Sequence, residues 1–423
     1  MAFDFLATPL TIQQTGITPR LLDELTLKVL YLNGEMYVSE LGTKLHVSFP
    51  VADQVFQRLR RDMFCEVTGM SGGVHRVTLT SQGRNRAVEA LSLNQYVGPC
   101  PVSLFDYIAR IQAQTIQRME VTPDKVEAAL SHLVLEPATV TQVGTAMASG
   151  KSVFLYGSTG SGKTSVAEAL RSVFEDESIW VPYAVELDGD IITIFDPIVH
   201  ETVEFETNEQ IDQRWRACRR PCVKAGGELT LEMLDLEFNP TTKFYTAPIQ
   251  MKANNGLLII DDFGRQRMQP TELLNRWIVP LDRRVDFLTL RGGRKLEIPF
   301  DIFVVFATNL RPSSLVEEAF LRRLNTKVKI DIITPAQFQQ IFQRICADCG
   351  LAYQEALVDD LIGTITVELQ QPLRGCYPRD IVQQIVWEAR YRQIAPELTR
   401  QTLQQACRNY FVSKEEDEYV PAR

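Results

Sequence analysis

The stretch Gly157-Ser158-Thr159-Gly160-Ser161-Gly162-Lys163-Thr164 constrains this chain more than any other. It reads GxxxxGK[ST], and its surroundings are those the pattern needs. Ser152-Val153-Phe154-Leu155-Tyr156 reads as a buried strand before it, and Ser165-Val166-Ala167-Glu168-Ala169-Leu170 as a helix after it. Glycines let backbone N–H groups converge on an anion without Cβ clashes, and the helix start turns its positive end toward the same place. Lys163 is placed to bridge phosphates, the Thr164 hydroxyl to ligate Mg²⁺, and Ser165 to complete the loop's contribution.

A second signal includes Asp261, 98 residues after Lys163. Gly256-Leu257-Leu258-Ile259-Ile260 predicts a buried strand, and Asp261-Asp262 sit at its carboxyl end, where parallel sheets bind their ligands. Asp261 suits the Mg²⁺ partner of Thr164. Asp262 suits the acid that polarises an attacking water.

Net charge is −9 over 423 residues. That balance excludes a protein whose whole surface coats nucleic acid, while leaving room for a local basic channel. The N-terminus lacks the basic start and apolar run of a signal peptide, and no run of about 18 apolar residues predicts a membrane span. A cytoplasmic protein is expected. Cys65, Cys100, Cys218, Cys222, Cys346, Cys349, Cys376 and Cys407 are scattered and expected as reduced thiols. Cys346 and Cys349 form a CxxC inside a helical pattern, with no second pair to complete a zinc set.

Five regions are expected along the chain. Residues 1–95 read helix, short strand, two helices, hairpin, helix, an order similar to a winged helix-turn-helix. Residues 96–134, with Pro99, Pro101 and Pro123, read as a linker and entry helices. Residues 135–331 alternate apolar strands with helical stretches, predicting an α/β nucleotide-binding domain with a parallel sheet covered by helices and with hairpin insertions. Residues 332–412 are helical throughout and predict a lid; 413–423 is a charged tail expected to be mobile.

With these motifs in order, the chain resembles the AAA+ ATPases over roughly residues 135–412. The resemblance implies further roles. Ile302 to Asn309 is a strand ending in a polar residue similar to sensor 1, with Asn309 orienting the water or the γ-phosphate. Glu318-Ala319-Phe320-Leu321-Arg322-Arg323-Leu324 is similar to the arginine-finger segment, with Arg323 the first choice and Arg322 the second. Gly375-Cys376-Tyr377-Pro378-Arg379-Asp380 is similar to sensor 2, with Arg379 reaching the γ-phosphate. It also implies ATP and Mg²⁺ as ligands. One departure stands out: the family usually has Glu where this chain has Asp262, one methylene shorter. A closer resemblance, to bacterial AAA+ proteins labelled as having chaperone activity and associated with pilus assembly, rests on Tyr96-Val97-Gly98-Pro99, Asp261 to Arg267, Leu273 to Trp277 and Ala319 to Arg323.

Two hairpins are predicted, one turning at Asp188-Gly189 and one at Arg291-Gly292-Gly293-Arg294. Phe244 and Tyr245 are either core rings or rings facing the channel of a ring assembly. Residues 1–95 hold nine basic and nine acidic residues, so protein docking is favoured over DNA for this part. The leading expectation is an ATP-hydrolysing homo-oligomer, a hexameric ring, that remodels protein partners. The alternatives are a nucleic-acid-dependent ATPase or transcription regulator, and a slow-hydrolysing switch.

Overall fold

The computed structural model describes residues 6–175, 177–204, 211–312, 324 and 326–411. The chain divides into two compact units: Met1–Glu120, Phe174–Ile259 and Gln266–Val304 form one, and Val121–Val173, Ile260–Arg265 and Val305–Arg423 the other. No helix among the described residues is long and apolar enough to cross a membrane.

The first unit begins with α1 (Pro19–Asn33), which is buried all round from Glu24 to Leu30 and starts with proline, whose missing N–H costs nothing there. It is followed by β1 (Met36–Tyr37), α2 (Val38–Leu45), α3 (Phe49–Arg61), β2 (Cys65–Ser71), β3 (Val74–Leu79) and α4 (Ser81–Leu93). The strands order as β1-β3-β2 and pair antiparallel, and the elements follow in the order read from the sequence. Glu40 accepts from the Tyr37 N–H ahead of α2, and the Thr80 hydroxyl accepts from the Gly83 N–H at the start of α4.

The rest of this unit is mostly β structure. Val102–Ser103 pairs in parallel with Ala184–Leu187. That strand forms a hairpin with Asp190–Thr193, turning on Asp188 and Gly189, both at positive φ. Tyr245–Thr246 and Glu237–Phe238 complete this five-stranded mixed sheet. Val285–Thr289 and Lys295–Pro299 form the second predicted hairpin. The segment expected as a linker therefore supplies the strand Val102–Ser103 and the fully buried Tyr107, whose hydroxyl accepts from Asn254. Of the two candidate channel rings, Tyr245 is buried in the core, where its hydroxyl accepts from the Arg291 N–H. Phe244 packs edge-on against Tyr96 with ring centres 5.7 Å apart. Tyr245 is thus a core ring, because its strand lies in a sheet, while Phe244 just ahead of that strand is half-buried against Tyr96.

A five-stranded sheet orders as Cys222–Ala225, Leu257–Ile260, Phe303–Thr308, Ser152–Tyr156, Thr326–Lys329. The division between units falls within Leu257–Ile260 and Phe303–Thr308, so the carboxyl ends of both belong to the second unit. There Thr326–Lys329 pairs in parallel with Ser152–Tyr156. Leu257–Ile260 and Phe303–Thr308 are buried along their whole length, the mark of strands covered on both faces. The helices Pro335–Asp348, Glu355–Gly363, Tyr377–Arg392 and Arg400–Tyr410 follow and enclose one apolar core that includes Phe338, Phe342, Val358, Ile381, Ile385 and Leu403. The fold is thus an α/β P-loop core with an all-helical C-terminal segment, as the sequence predicts.

Candidate functional site

The glycine-rich loop leaves the end of Ser152–Tyr156 and enters the short helix Lys163–Ala169. Its glycines are required by close approach. A Cβ on Gly157 would lie 1.9 Å from the Ile330 carbonyl oxygen, and one on Gly160 only 2.5 Å from Cys376 Sγ. Both also take positive φ. The Lys163 side chain curls back over the loop and donates from Nζ to the Ser158 carbonyl at 2.7 Å and to Ser161 Oγ at 3.4 Å. Burial pulls its pKa down, while the charges of Asp262 and Asp261 oppose that shift.

Thr164 Oγ1 donates to Asp261 Oδ1 at 3.0 Å, joining residues 97 apart in sequence. The Asp262 N–H donates to the same oxygen at 3.0 Å. The turn behind these acids is fixed from the core side. Phe263 is buried against Phe154 and Phe306, its N–H donates to the Ala307 carbonyl, and its own carbonyl accepts from Thr308 Oγ1. That holds Asp262 outward, exposed, with φ of 47°. Left-handed backbone is tolerated by Asp and Asn far better than by longer side chains. The left-handed turn thus suits the aspartate this chain carries at 262, a fit that spacing alone does not reveal. Asn309 Nδ2 approaches Thr159 Oγ1 at 3.4 Å, so the end of a third strand also reaches the loop.

The second unit thus brings the glycine loop, Thr164, Asp261, Asp262 and Asn309 together through hydrogen bonds. Arg379 lies exposed in the first turn of Tyr377–Arg392. Arg322 and Arg323 lie outside the described residues. Sequence reasoning placed Gly375 and Cys376 in the segment similar to sensor 2 but missed Arg374 just ahead of them in the same turn. The Cys376 N–H donates to the Gly160 carbonyl at 3.1 Å, which ties this turn to the glycine loop. The turn carries no periodicity, and only its nearness to Pro378 marks it. Ser158 Oγ and Arg374 Nε are both buried without a hydrogen-bond partner among the described residues. Unmatched buried donors ask for an acceptor. Together with Lys163 and the glycine cradle they suit an anion with several oxygens, and Thr164 with Asp261 supplies the hard oxygen donors a Mg²⁺ ion prefers.

A family model described as a domain of unknown function, DUF8689, matches residues 334–409, within the C-terminal helices. No curated protein matches the sequence. Among solved structures, the chain is similar to the Thermotoga maritima RuvB Holliday junction branch migration motor at 13% identity and a TM-score of 0.36, over 74% of this chain and 73% of that one. Two point mutants of the same RuvB are similar at 14% identity and a TM-score of 0.36, one over 70% of this chain and 72% of its own and one over 72% and 75%. Likeness at that level does not extend to function. None of these matches supports the association with pilus assembly.

Proposed function

We propose that this chain binds ATP with Mg²⁺ at the glycine-rich cradle and hydrolyses it, as an AAA+-type motor that works as a ring, a hexamer, on protein partners in the cytoplasm. The observation that carries the reading is the hydrogen bond from Thr164 to Asp261 beside Lys163, which joins the two sequence motifs at one point. Lys163 turns from the Ser158 carbonyl to the β- and γ-phosphate oxygens. Thr164 and Asp261 would hold a Mg²⁺ ion, which would supply neutralising charge to the phosphate chain. Asp262 accepts a proton from the water that attacks the γ-phosphorus, and Asn309 orients that water. Arg323 of a neighbouring copy, or failing it Arg322, stabilises charge on the transferring group.

Several observations favour a protein partner over nucleic acid. In the first unit α3, the helix a winged domain would lay in the major groove, is strapped by the chain's own start. Ser48 Oγ donates to the Pro9 carbonyl, the Ile12 N–H to Gln54 Oε1 at 3.3 Å, and Gln54 Nε2 to the Leu10 carbonyl at 3.0 Å. The basic hairpin tip is already engaged. Arg294 pairs with Asp188 and Asp190, Lys295 donates to Thr289, and Arg291 lies over the Phe238 ring. In the second unit, Trp387 and Tyr391 stand exposed one turn apart on Tyr377–Arg392, with Ile394 exposed just past its end, a surface suited to protein contact.

The test is Asp262→Asn, which keeps a side chain suited to left-handed backbone and removes the base. ATP affinity is expected to stay within about twofold while turnover falls about 100-fold or more. Turnover equal to wild type would remove Asp262 from the chemistry. Light scattering with and without ATP checks the ring: a permanent monomer contradicts it.

A further inference from the structure

We propose that Arg374, in the turn ahead of the helix Tyr377–Arg392, is a phosphate-binding residue of the cradle, taking the role that resemblance points to Arg379 for. This rests on the ATP reading above and adds a residue to that site.

Four observations in the second unit converge on Arg374. Its Cδ lies 3.7 Å from the point a Gly160 Cβ would occupy, so the side chain runs alongside the loop that cradles the anion. The turn is held there by the Cys376 N–H bond to the Gly160 carbonyl, and a Cβ at 160, already strained by its positive φ, would displace Cys376 Sγ. The guanidinium carbon sits over the Tyr377 ring at 5.7 Å, a contact that restrains the group without using its N–H donors. The Nε–H is buried and has no acceptor among the described residues. Leaving a donor of a charged group buried and unmatched is costly, and a phosphate oxygen is the acceptor that a planar, forked cation fits best.

Ser158 Oγ is the other buried unmatched polar atom of the cradle. A polyphosphate chain lying in the loop offers acceptors to both, whereas a neutral ligand would leave the cation unpaired. Arg379, by contrast, is exposed in the first turn of its helix, where the backbone dipole disfavours a cation.

The experiment is a titration of ATP and of ADP, each with Mg²⁺, into wild type, Lys163→Ala, Arg374→Gln, Arg374→Lys and Arg379→Gln, with a thermal melt of each variant. Arg374→Gln is expected to weaken ATP at least about 10-fold, as loss of a charge-assisted bond should, and ADP by less. Arg374→Lys is expected to recover only part of the loss, because an ammonium cannot bind two oxygens side by side. Arg379→Gln should change either affinity by less than about threefold. If Arg374→Gln melts early, Arg374→Lys decides alone, with a loss of at least about threefold expected at an unchanged melting temperature. ATP affinity equal to wild type in the Arg374 variants, or a larger loss at Arg379, overturns the assignment while leaving the ATP reading intact. Wild type and Lys163→Ala failing alike to bind ATP would bring down that reading and this assignment together.

Discussion

Two buried polar clusters, one in each compact unit, are built in opposite ways. In the first unit's, around Arg214 and Asp286, the charges are matched. Arg214 donates to both carboxylate oxygens of Asp212 and to the carbonyls of Thr15 and Pro101. Asp286 is paired with Arg276 and accepts from Gln250. In the second, the glycine loop keeps Ser158 Oγ and Arg374 Nε unmatched and its acid turn in left-handed backbone at Asp262. A scaffold closes its hydrogen bonds; a binding site leaves some open for what it binds. On the proposed reading, the open groups belong to the ATP site, while the closed clusters around Arg214 and Asp286 are structural.

The largest effect expected from breaking the contrast is at Arg214. Arg214→Ala leaves Asp212 buried and uncompensated and should destabilise the first unit by about 3–5 kcal/mol in urea unfolding. A loss below about 1 kcal/mol would mean the matched charges are not what holds this unit.

Next is Lys28, buried with its Nζ donating to Asn94 Oδ1 at 2.7 Å. Burial lowers its pKa from 10.5 to about 8. Because the folded pKa lies below the unfolded one, the unfolded chain holds more protons between pH 8 and 10.5, and stability should rise with pH across that window. Lys28→Met should abolish the rise and stabilise the protein at pH 7 by roughly 1–3 kcal/mol. Unfolding midpoints at several pH values check both; a Lys28→Met variant that still gains stability from pH 8 to 10.5 would assign the effect elsewhere.

Asp262→Glu sharpens the comparison from the other side. Forcing a longer side chain into left-handed backbone should cost about 1 kcal/mol and leave turnover no higher than wild type. A clear rise in turnover would instead favour the slow-switch alternative, in which reach limits hydrolysis. Smallest is Arg294→Ala, which removes two exposed ion pairs and should change stability by less than about 1 kcal/mol. If the variant gained affinity for DNA or RNA, the protein-partner reading would weaken.

Most of the cradle is legible in the sequence because contiguous residues carry its chemistry. Gly157 to Thr164 needs its glycines for local backbone reasons, and Asp261-Asp262 follows an unbroken apolar strand. The winged-helix-like order is legible for a similar reason, since each helix and the hairpin has its own period. Less legible is whatever depends on distant pairing. Val102–Ser103 is two residues long and reads as linker until its parallel partner at Val185 and Glu186 is known. Arg294 reads as a free cation because Asp188 lies 106 residues away. Tyr245 beside a polar Asn-Pro-Thr-Thr run reads as loop, yet the parallel neighbour Ile192 makes it core. Arg374 belongs to this class as well, since only the fold sets it against Gly160.

The central claim, that the glycine cradle in the second unit is an ATP site, is tested most directly by calorimetric titration of Mg²⁺–ATP into wild type and Lys163→Ala. The account predicts one binding event per chain in wild type and an affinity at least about 100-fold weaker in Lys163→Ala, since a charge-assisted contact to phosphate is lost. Equal affinity in the two proteins, or no heat of binding in either, would contradict it.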